Sequence, residues 1–382
     1  MSRRIIVDEL EFEVPYGKLA AKTWHEETDE SKRVLLLHGW MDNAGSFDNM
    51  VPRLKHKDGL YIVALDLPGH GKSSQLPPGS SYSDLNIVME IRRCLTELKW
   101  IQPVPKKLVN GDHGSPKPGG GRMISSASQN SIASMNDSSG GKTHKKFTII
   151  GHSLGAGLGL FYTSLYPNDV EEIVLLDFIK ARTPPVNELL QDTAETIDQF
   201  IETVPSQSPF SSPVLSKTTL SSNSQNRQAD KGQVVVSQEA AIVATIEAHR
   251  QLGILTREDA TCLLKRSTVA VSTPPNCVIY SRDLRLQSML NLRENIEIHN
   301  VMFNRICCHI LIIVGKRGMY SQDELFRDKM DEVERYYRER AKSLHIQWTD
   351  GDHYLHMNRP QETAEVINQY LEDPTAFKVK AD

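Results

Sequence analysis

The sequence predicts an α/β architecture with a mostly parallel central sheet flanked by helices. Three observations carry that expectation. A β-prone run from Phe147 to Ile150 leads into Gly151-His152-Ser153-Leu154-Gly155 and then into a small-residue helical pattern. Two earlier apolar runs, Val34 to Leu37 and Tyr61 to Leu65, each end in a polar, glycine-containing turn. Two late runs, Ile310 to Val314 and Leu344 to Trp348, are each followed by a polar loop.

The elements follow in order. Glu11 to Val14 and Gly17 to Trp24 read as an antiparallel pair at the start of the chain. Ser83 to Trp100 reads as a helix, with Leu85, Val88, Ile91, Leu95 and Leu98 assigned to one face. From about 101 to 145 aliphatic residues almost vanish and Pro, Gly, Ser, Lys and Asn dominate. A structureless loop of that length is unusual inside a compact domain, so the segment reads as a disordered insert. It holds a candidate phosphosite, Ser115-Pro116, and a sequon, Asn136-Asp137-Ser138. Ile173 to Leu176 is a further strand that ends at Asp177. Glu188 to Ile201 and Gln238 to Leu252 have helical spacing, separated by a second Ser/Pro/Gln-rich stretch over about 203–236. Thr256 with Glu258 and Asp259 reads as an N-cap and an acidic first turn. Pro360 opens a final helix.

The chemistry centres on Ser153. Strand, tight turn and helix together form the context of a G-x-S-x-G nucleophile elbow, in which the backbone strains at the serine and leaves its hydroxyl exposed. A side chain at either flanking glycine would crowd the turn. A serine hydroxyl is a weak nucleophile until an imidazole takes its proton. Of the 13 histidines, His353 is placed for that task, on the loop after a late strand, with His356 as its neighbour. His353 and His356 also have a zinc-like spacing, but no third ligand is spaced nearby, so neither a metal nor a cofactor is expected. Backbone N–H groups of Trp40, after the Val34 strand, and Leu154, after the nucleophile, are the expected oxyanion donors. Gly71-Lys72-Ser73 looks like the tail of a phosphate loop, but Asp66 stands where that motif requires glycine. This stretch therefore reads as a structural turn.

His38-Gly39-Trp40-Met41-Asp42-Asn43-Ala44-Gly45-Ser46-Phe47-Asp48, Asp66-Leu67-Pro68-Gly69-His70-Gly71 and Gly151 to Gly155 together resemble the α/β-hydrolase superfamily. The first of these runs is more specific and resembles the serine hydrolase-like protein family. Tyr280 to Leu286 and Gly351 to Met357 are similar to that family as well. The resemblance covers most of the chain outside the two inserts. It implies an α/β-hydrolase fold with a helical cap inserted after the sixth core strand, and a Ser-His-acid triad, but it names no substrate. The expected divisions are a first core part over 1–180, a cap over 181–302 and a second core part over 303–382.

The acid is the open position. Many α/β-hydrolases place an aspartate shortly after the strand that corresponds to Ile310 to Val314. Here Gly318 stands at that place, with Asp323 further on. The alternative is Asp177. Asp177-Phe178-Ile179-Lys180 resembles the post-strand acid segment of haloalkane dehalogenases, which carries Glu. Asp177 is favoured over Asp323. Dehalogenase and epoxide-hydrolase chemistry are disfavoured, because both use a carboxylate where Ser153 stands.

The resulting expectation is a serine hydrolase of the carboxylic-ester type, EC class 3.1, acting by acyl transfer on a small or medium ester through Ser153, His353 and Asp177. The alternative class is a non-catalytic ligand-binding or scaffold protein on the same fold. Arg282, Asp283 and Arg285 are the polar candidates of the cap, with a salt-bridge cluster as the favoured role. At 382 residues and 39% hydrophobic, the chain can bury a sizeable core. Its net charge of −4 and its scattered basic residues give no reason to expect nucleic acid as a partner. The expected partner is a small acyl substrate, and the sequence leaves the oligomeric state open. The five cysteines are irregularly spaced, which suggests a reducing compartment, and Cys307-Cys308 are expected to pack as small apolar side chains. No targeting segment or membrane span is read. Cytoplasm is the expected compartment, and the resemblance leaves a peroxisomal or vesicular association open.

Overall fold

The structure, a computed structural model, describes residues 6–102, 145–181, 185–203, 235–289 and 296–377. Both low-complexity inserts therefore lie almost entirely outside the described residues, as do Ser115-Pro116 and Asn136 to Ser138.

Strands β1 (Val7–Val14), β2 (Gly17–Trp24), β3 (Lys32–Leu37) and β4 (Leu60–Leu65) precede helix α1 (Asp84–Glu97). Then come β5 (Phe147–His152), α2 (Leu154–Leu165), β6 (Val170–Leu176), α3 (Val186–Thr203), β7 (Val235–Ser237), α4 (Gln238–His249) and α5 (Arg257–Ser267). Strands β8 (Thr268–Val271) and β9 (Cys277–Tyr280) and helix α6 (Ile296–Phe303) lead to β10 (His309–Arg317). The chain closes with α7 (Met319–Gln322), α8 (Glu324–Arg327), α9 (Met330–Arg340), β11 (Ser343–Asp352), α10 (Leu355–Asn358) and α11 (Pro360–Glu372).

Eight strands form one sheet in the order β1-β2-β4-β3-β5-β6-β10-β11. The β1–β2 and β2–β4 pairings are antiparallel, and the remaining pairings in this sheet are parallel. The central strands are almost continuously apolar because helices cover both faces of a parallel sheet. Their side chains alternate between two cores. Leu35, Leu37, Ile149, Ile173 and Ile312 face one side, and Val34, Leu36, Ile150, Val174 and Ile313 face the other.

Helix α1 starts at Ser83, whose hydroxyl accepts from the Asn86 N–H. Its buried stripe differs from the expected one. It takes in Ile87 and Cys94 beside Val88, Ile91 and Leu95, while Leu85 is 57% exposed. Leu85 is about 120° round the helix from Ile91, outside the arc that touches the sheet.

The segment between β6 and β10 holds four of the helices and a small antiparallel sheet in the order β7-β9-β8, which the apolar spacing did not indicate. Polar contacts fasten this inserted segment to the core. The Arg266 guanidinium reaches the buried Asp66 carboxylate at 2.8 Å, and Asn43 donates to the Leu263 carbonyl at 2.9 Å. Asn49 donates to Asp259, which also completes the capping box with Thr256. Of the paired cysteines, Cys308 is buried and Cys307 is exposed, so only Cys308 packs as an apolar side chain.

Candidate active site

The C-terminal ends of β5, β6 and β10, together with the loop after β11, meet at one cavity of about 770 Å³. That volume lies within the usual range for a small-molecule site. Ser153 and His353 line it, as do Trp40 and Leu154.

Ser153 is the residue between β5 and α2, at φ 50° and ψ −116°, a conformation that costs energy for a side chain other than glycine. The neighbouring strands hold it there. The Ser153 N–H donates to the Leu176 carbonyl, and its own carbonyl accepts from Ala156 and Gly157. Gly155 has no room for a side chain, since a Cβ would lie 2.1 Å from the Leu37 carbonyl oxygen. Leu154 is the first residue of α2, so its N–H has no acceptor within the helix. Trp40 is fixed by its indole, which donates to the Leu286 carbonyl at 2.8 Å.

His353 Nδ1 lies 2.7 Å from Asp177 Oδ2, with both side chains buried. Asp177 follows directly on β6 and has φ 46°. Its N–H donates to the Ile313 carbonyl at 2.7 Å. Its carboxylate accepts from the Gly315 N–H at 3.0 Å and the Met319 N–H at 3.1 Å. Gly318 explains the arrangement. A Cβ at that position would lie 2.3 Å from Asp177 Oδ1, so the carboxylate occupies the space a side chain at 318 would need. Asp323 is engaged elsewhere and caps α8 by accepting from the Leu325 N–H at 2.8 Å.

A family model described as "Alpha/beta hydrolase family" matches residues 34–366. The chain belongs to the alpha/beta hydrolase family. It is 27% identical to the human serine hydrolase-like protein 2, over 96% of this chain and 95% of that one. It is 25% identical to a probable serine hydrolase of Drosophila melanogaster, over 96% and 88% respectively. Among solved structures, it resembles a hypothetical protein of Pseudomonas aeruginosa with a TM-score of 0.63 at 21% identity, covering 94% of this chain and 96% of that one. It also resembles the Mycobacterium tuberculosis esterase Rv0045c with a TM-score of 0.56 at 16% identity, covering 96% and 92%. These structural likenesses establish the fold alone. No helix among the described residues is long and apolar enough to cross a membrane.

Several groups beside this alpha/beta hydrolase cavity were not singled out from the sequence. His152 lies beneath the site, with Nε2 2.8 Å from the His353 carbonyl oxygen. Asp42 Oδ1 meets His249 Nε2 at 3.2 Å, a contact from the loop after β3 to α4. Burial alone would raise the Asp42 pKa, but the His249 hydrogen bond and charge outweigh it and hold the carboxyl below its ordinary value. His249 is raised in turn, the Asp42 contact overcoming the effect of burial. His249 carried no local signal, since a histidine in the last turn of a helix is ordinary. Asp42 lay inside the quoted His38 to Asp48 run but had no role assigned.

His356 packs against Phe47 and His152, and neither of its ring nitrogens has a hydrogen-bond partner among the described residues. Burial lowers its pKa to about 4. The Gly71-Lys72-Ser73 turn holds no phosphate-loop geometry. Asp66 there accepts from the Ala44 and Lys72 N–H groups and pairs with Arg266.

Proposed function

We propose that this alpha/beta hydrolase is a serine hydrolase of the carboxylic-ester type. Ser153 is the nucleophile, His353 the general base and Asp177 the acid that orients it. The carrying observation is the 2.7 Å contact between the buried Asp177 carboxylate and Nδ1 of His353, which lines the same cavity as Ser153.

In this reading Asp177 accepts a hydrogen bond from the Nδ1–H of His353. That fixes the tautomer and leaves Nε2 free to take the Ser153 proton. The serine oxygen adds to the ester carbonyl, and the oxyanion is held by the N–H groups of Trp40 and Leu154. The C–O bond to the alcohol then breaks, and His353 returns the proton to the departing alkoxide. Water repeats the sequence, giving up one proton to His353, releasing the acid and restoring Ser153. The segment between β6 and β10 acts as a cap, since His249, Leu252, Leu286 and Met289 from it line the same cavity.

The test is labelling with a fluorophosphonate, followed by peptide mass spectrometry. We expect one adduct, at Ser153, absent from Ser153→Ala. A folded protein that takes no label, or takes it elsewhere, would overturn the assignment.

A further inference from the structure

Among the described residues, the cavity wall carries the charged side chains Asp42, Asp84, Lys180 and Arg282 and the histidines His152, His249, His299 and His353. Asp42 and His249 pair with each other. Lys180 is buried and donates to the carbonyls of Ala181 and Leu325. Asp84 sits in the first turn of α1, where the helix N-terminus favours a carboxylate. Arg282 differs from these. Among the described residues it has no carboxylate at ion-pair distance and no carbonyl acceptor, only the Tyr280 ring beside its guanidinium at 5.1 Å.

Its neighbours in sequence are fully engaged. The Asp283 carboxylate binds Arg285 and accepts from the Tyr82 hydroxyl at 2.8 Å. Arg285 donates onward to the carbonyls of Leu76, Pro77 and Ser80. The backbone around Arg282 is also clamped to the core. The Ser281 hydroxyl donates to the Gly71 carbonyl at 2.8 Å, and the Asp283 N–H donates to the Gly69 carbonyl at 2.9 Å. Leu286, four residues on, holds the Trp40 indole. The mount is therefore registered to the loop that carries Trp40, while the guanidinium on it has no anion at ion-pair distance among the described residues, and the Asp42 charge acts on it only from further off.

A guanidinium stays protonated, and a partly buried one without a counter-charge is costly. Burial indeed lowers the Arg282 pKa from its ordinary value, with only Tyr280 and Asp42 opposing. A carboxylate would meet the planar fork with two charge-assisted hydrogen bonds.

We propose that Arg282 is the subsite for a carboxylate on the substrate, so that the preferred ester carries an anionic group remote from the reacting carbonyl. This rests on the serine-hydrolase reading, yet part of its test does not depend on turnover.

The kinetic test compares 4-nitrophenyl hydrogen adipate with its methyl-capped counterpart, 4-nitrophenyl methyl adipate, using Ser153→Ala as the background. Wild type should favour the free carboxylate in kcat/KM by on the order of 10- to 100-fold, mostly through KM. Arg282→Met should bring the ratio towards one, and Arg282→Lys should restore part of it. A structural role for Arg282 would lower both rates and leave the ratio standing.

The binding test is calorimetry of adipate with Ser153→Ala, alone and combined with Arg282→Met. Binding that the Met substitution abolishes supports the subsite even if no ester is cleaved, in which case only the hydrolase reading fails. Hydrolysis of both esters at equal kcat/KM, or adipate binding unmoved by Arg282→Met, would overturn the subsite and leave the hydrolase reading in place. Absence of both hydrolysis and adipate binding would overturn the subsite as well.

Discussion

Asp66 and Asp177 occupy matching positions. Each is the residue directly after a strand of the central sheet, each is fully buried, and each accepts two backbone N–H groups. They differ in the cation-forming partner. Asp66 is closed off by the Arg266 guanidinium, which joins the inserted segment to the core. Asp177 meets an imidazole, which lines the cavity. An arginine cannot give up its proton near neutral pH, so the first pair can only hold structure. A histidine can exchange one, so the second pair is equipped to act. On the proposed reading, the same strand-end carboxylate serves as a clamp or as an orienting group according to the side chain placed over it.

Four substitutions would break or sharpen that contrast. The largest effect is expected from Asp177→Asn, which keeps the shape but reverses the hydrogen bond to His353. Ester hydrolysis should fall by roughly 10³- to 10⁴-fold in kcat, with the melting temperature little changed. Asp66→Ala should behave in the opposite sense. It should cost roughly 3–5 kcal/mol in urea unfolding, because it removes the buried partner of Arg266, leaving only the half-exposed Glu9 at 2.6 Å, and strips the Ala44 and Lys72 N–H groups of their acceptor. If Asp66→Ala proved stable, the clamp assignment would be wrong.

Gly318→Ala comes next. Its methyl group would meet the Asp177 carboxylate, so activity should drop by about 10- to 100-fold, equivalent to ~1.4–2.8 kcal/mol of barrier. An unaffected kcat would mean that the carboxylate has freedom the packing does not show.

The smallest effect concerns the histidines away from Asp177. Burial lowers the pKa values of His38 and His356 to about 4, and burial with the His38 charge lowers that of His70 to about 3. In the unfolded chain such groups protonate near about 6.5. Between that value and about 4 the unfolded state therefore binds more protons, so stability is full above the unfolded pKa and declines as the pH falls through the window. His356→Leu removes one such group and two unpartnered ring nitrogens. It should flatten the decline and gain on the order of 1–2 kcal/mol at pH 4 relative to wild type, with less change at pH 7. An unchanged acid slope in thermal melts would contradict the assignment.

Much of the core was legible because its signals are local. The apolar runs from Val34, Tyr61, Phe147, Ile173, Ile310 and Leu344 all became strands, since a parallel sheet covered on both faces requires continuous apolar sequence. The elbow at Ser153 was legible because only a few residue types fit that turn. What stayed hidden depends on contacts distant in sequence. The strands β7, β8 and β9 are three or four residues long and show no pattern of their own. Spacing placed Leu85 on the wrong side of α1 because it reports period but not phase. The trio Arg282, Asp283 and Arg285 read as one cluster, yet two of its members pair with each other and the third faces the cavity. What favours Asp177 over Asp323 is the room above Gly318, and no distance along the chain reports it.

The most direct test of the central claim is the rate of Ser153 inactivation by a fluorophosphonate in wild type, Asp177→Asn and Asp323→Asn, read in stopped-flow or quenched-flow experiments at pH 7–8. The account predicts that Asp177→Asn slows adduct formation by at least about 10²-fold, while Asp323→Asn stays within about threefold of wild type. Equal rates for wild type and Asp177→Asn, or a steep loss in Asp323→Asn alone, would contradict it.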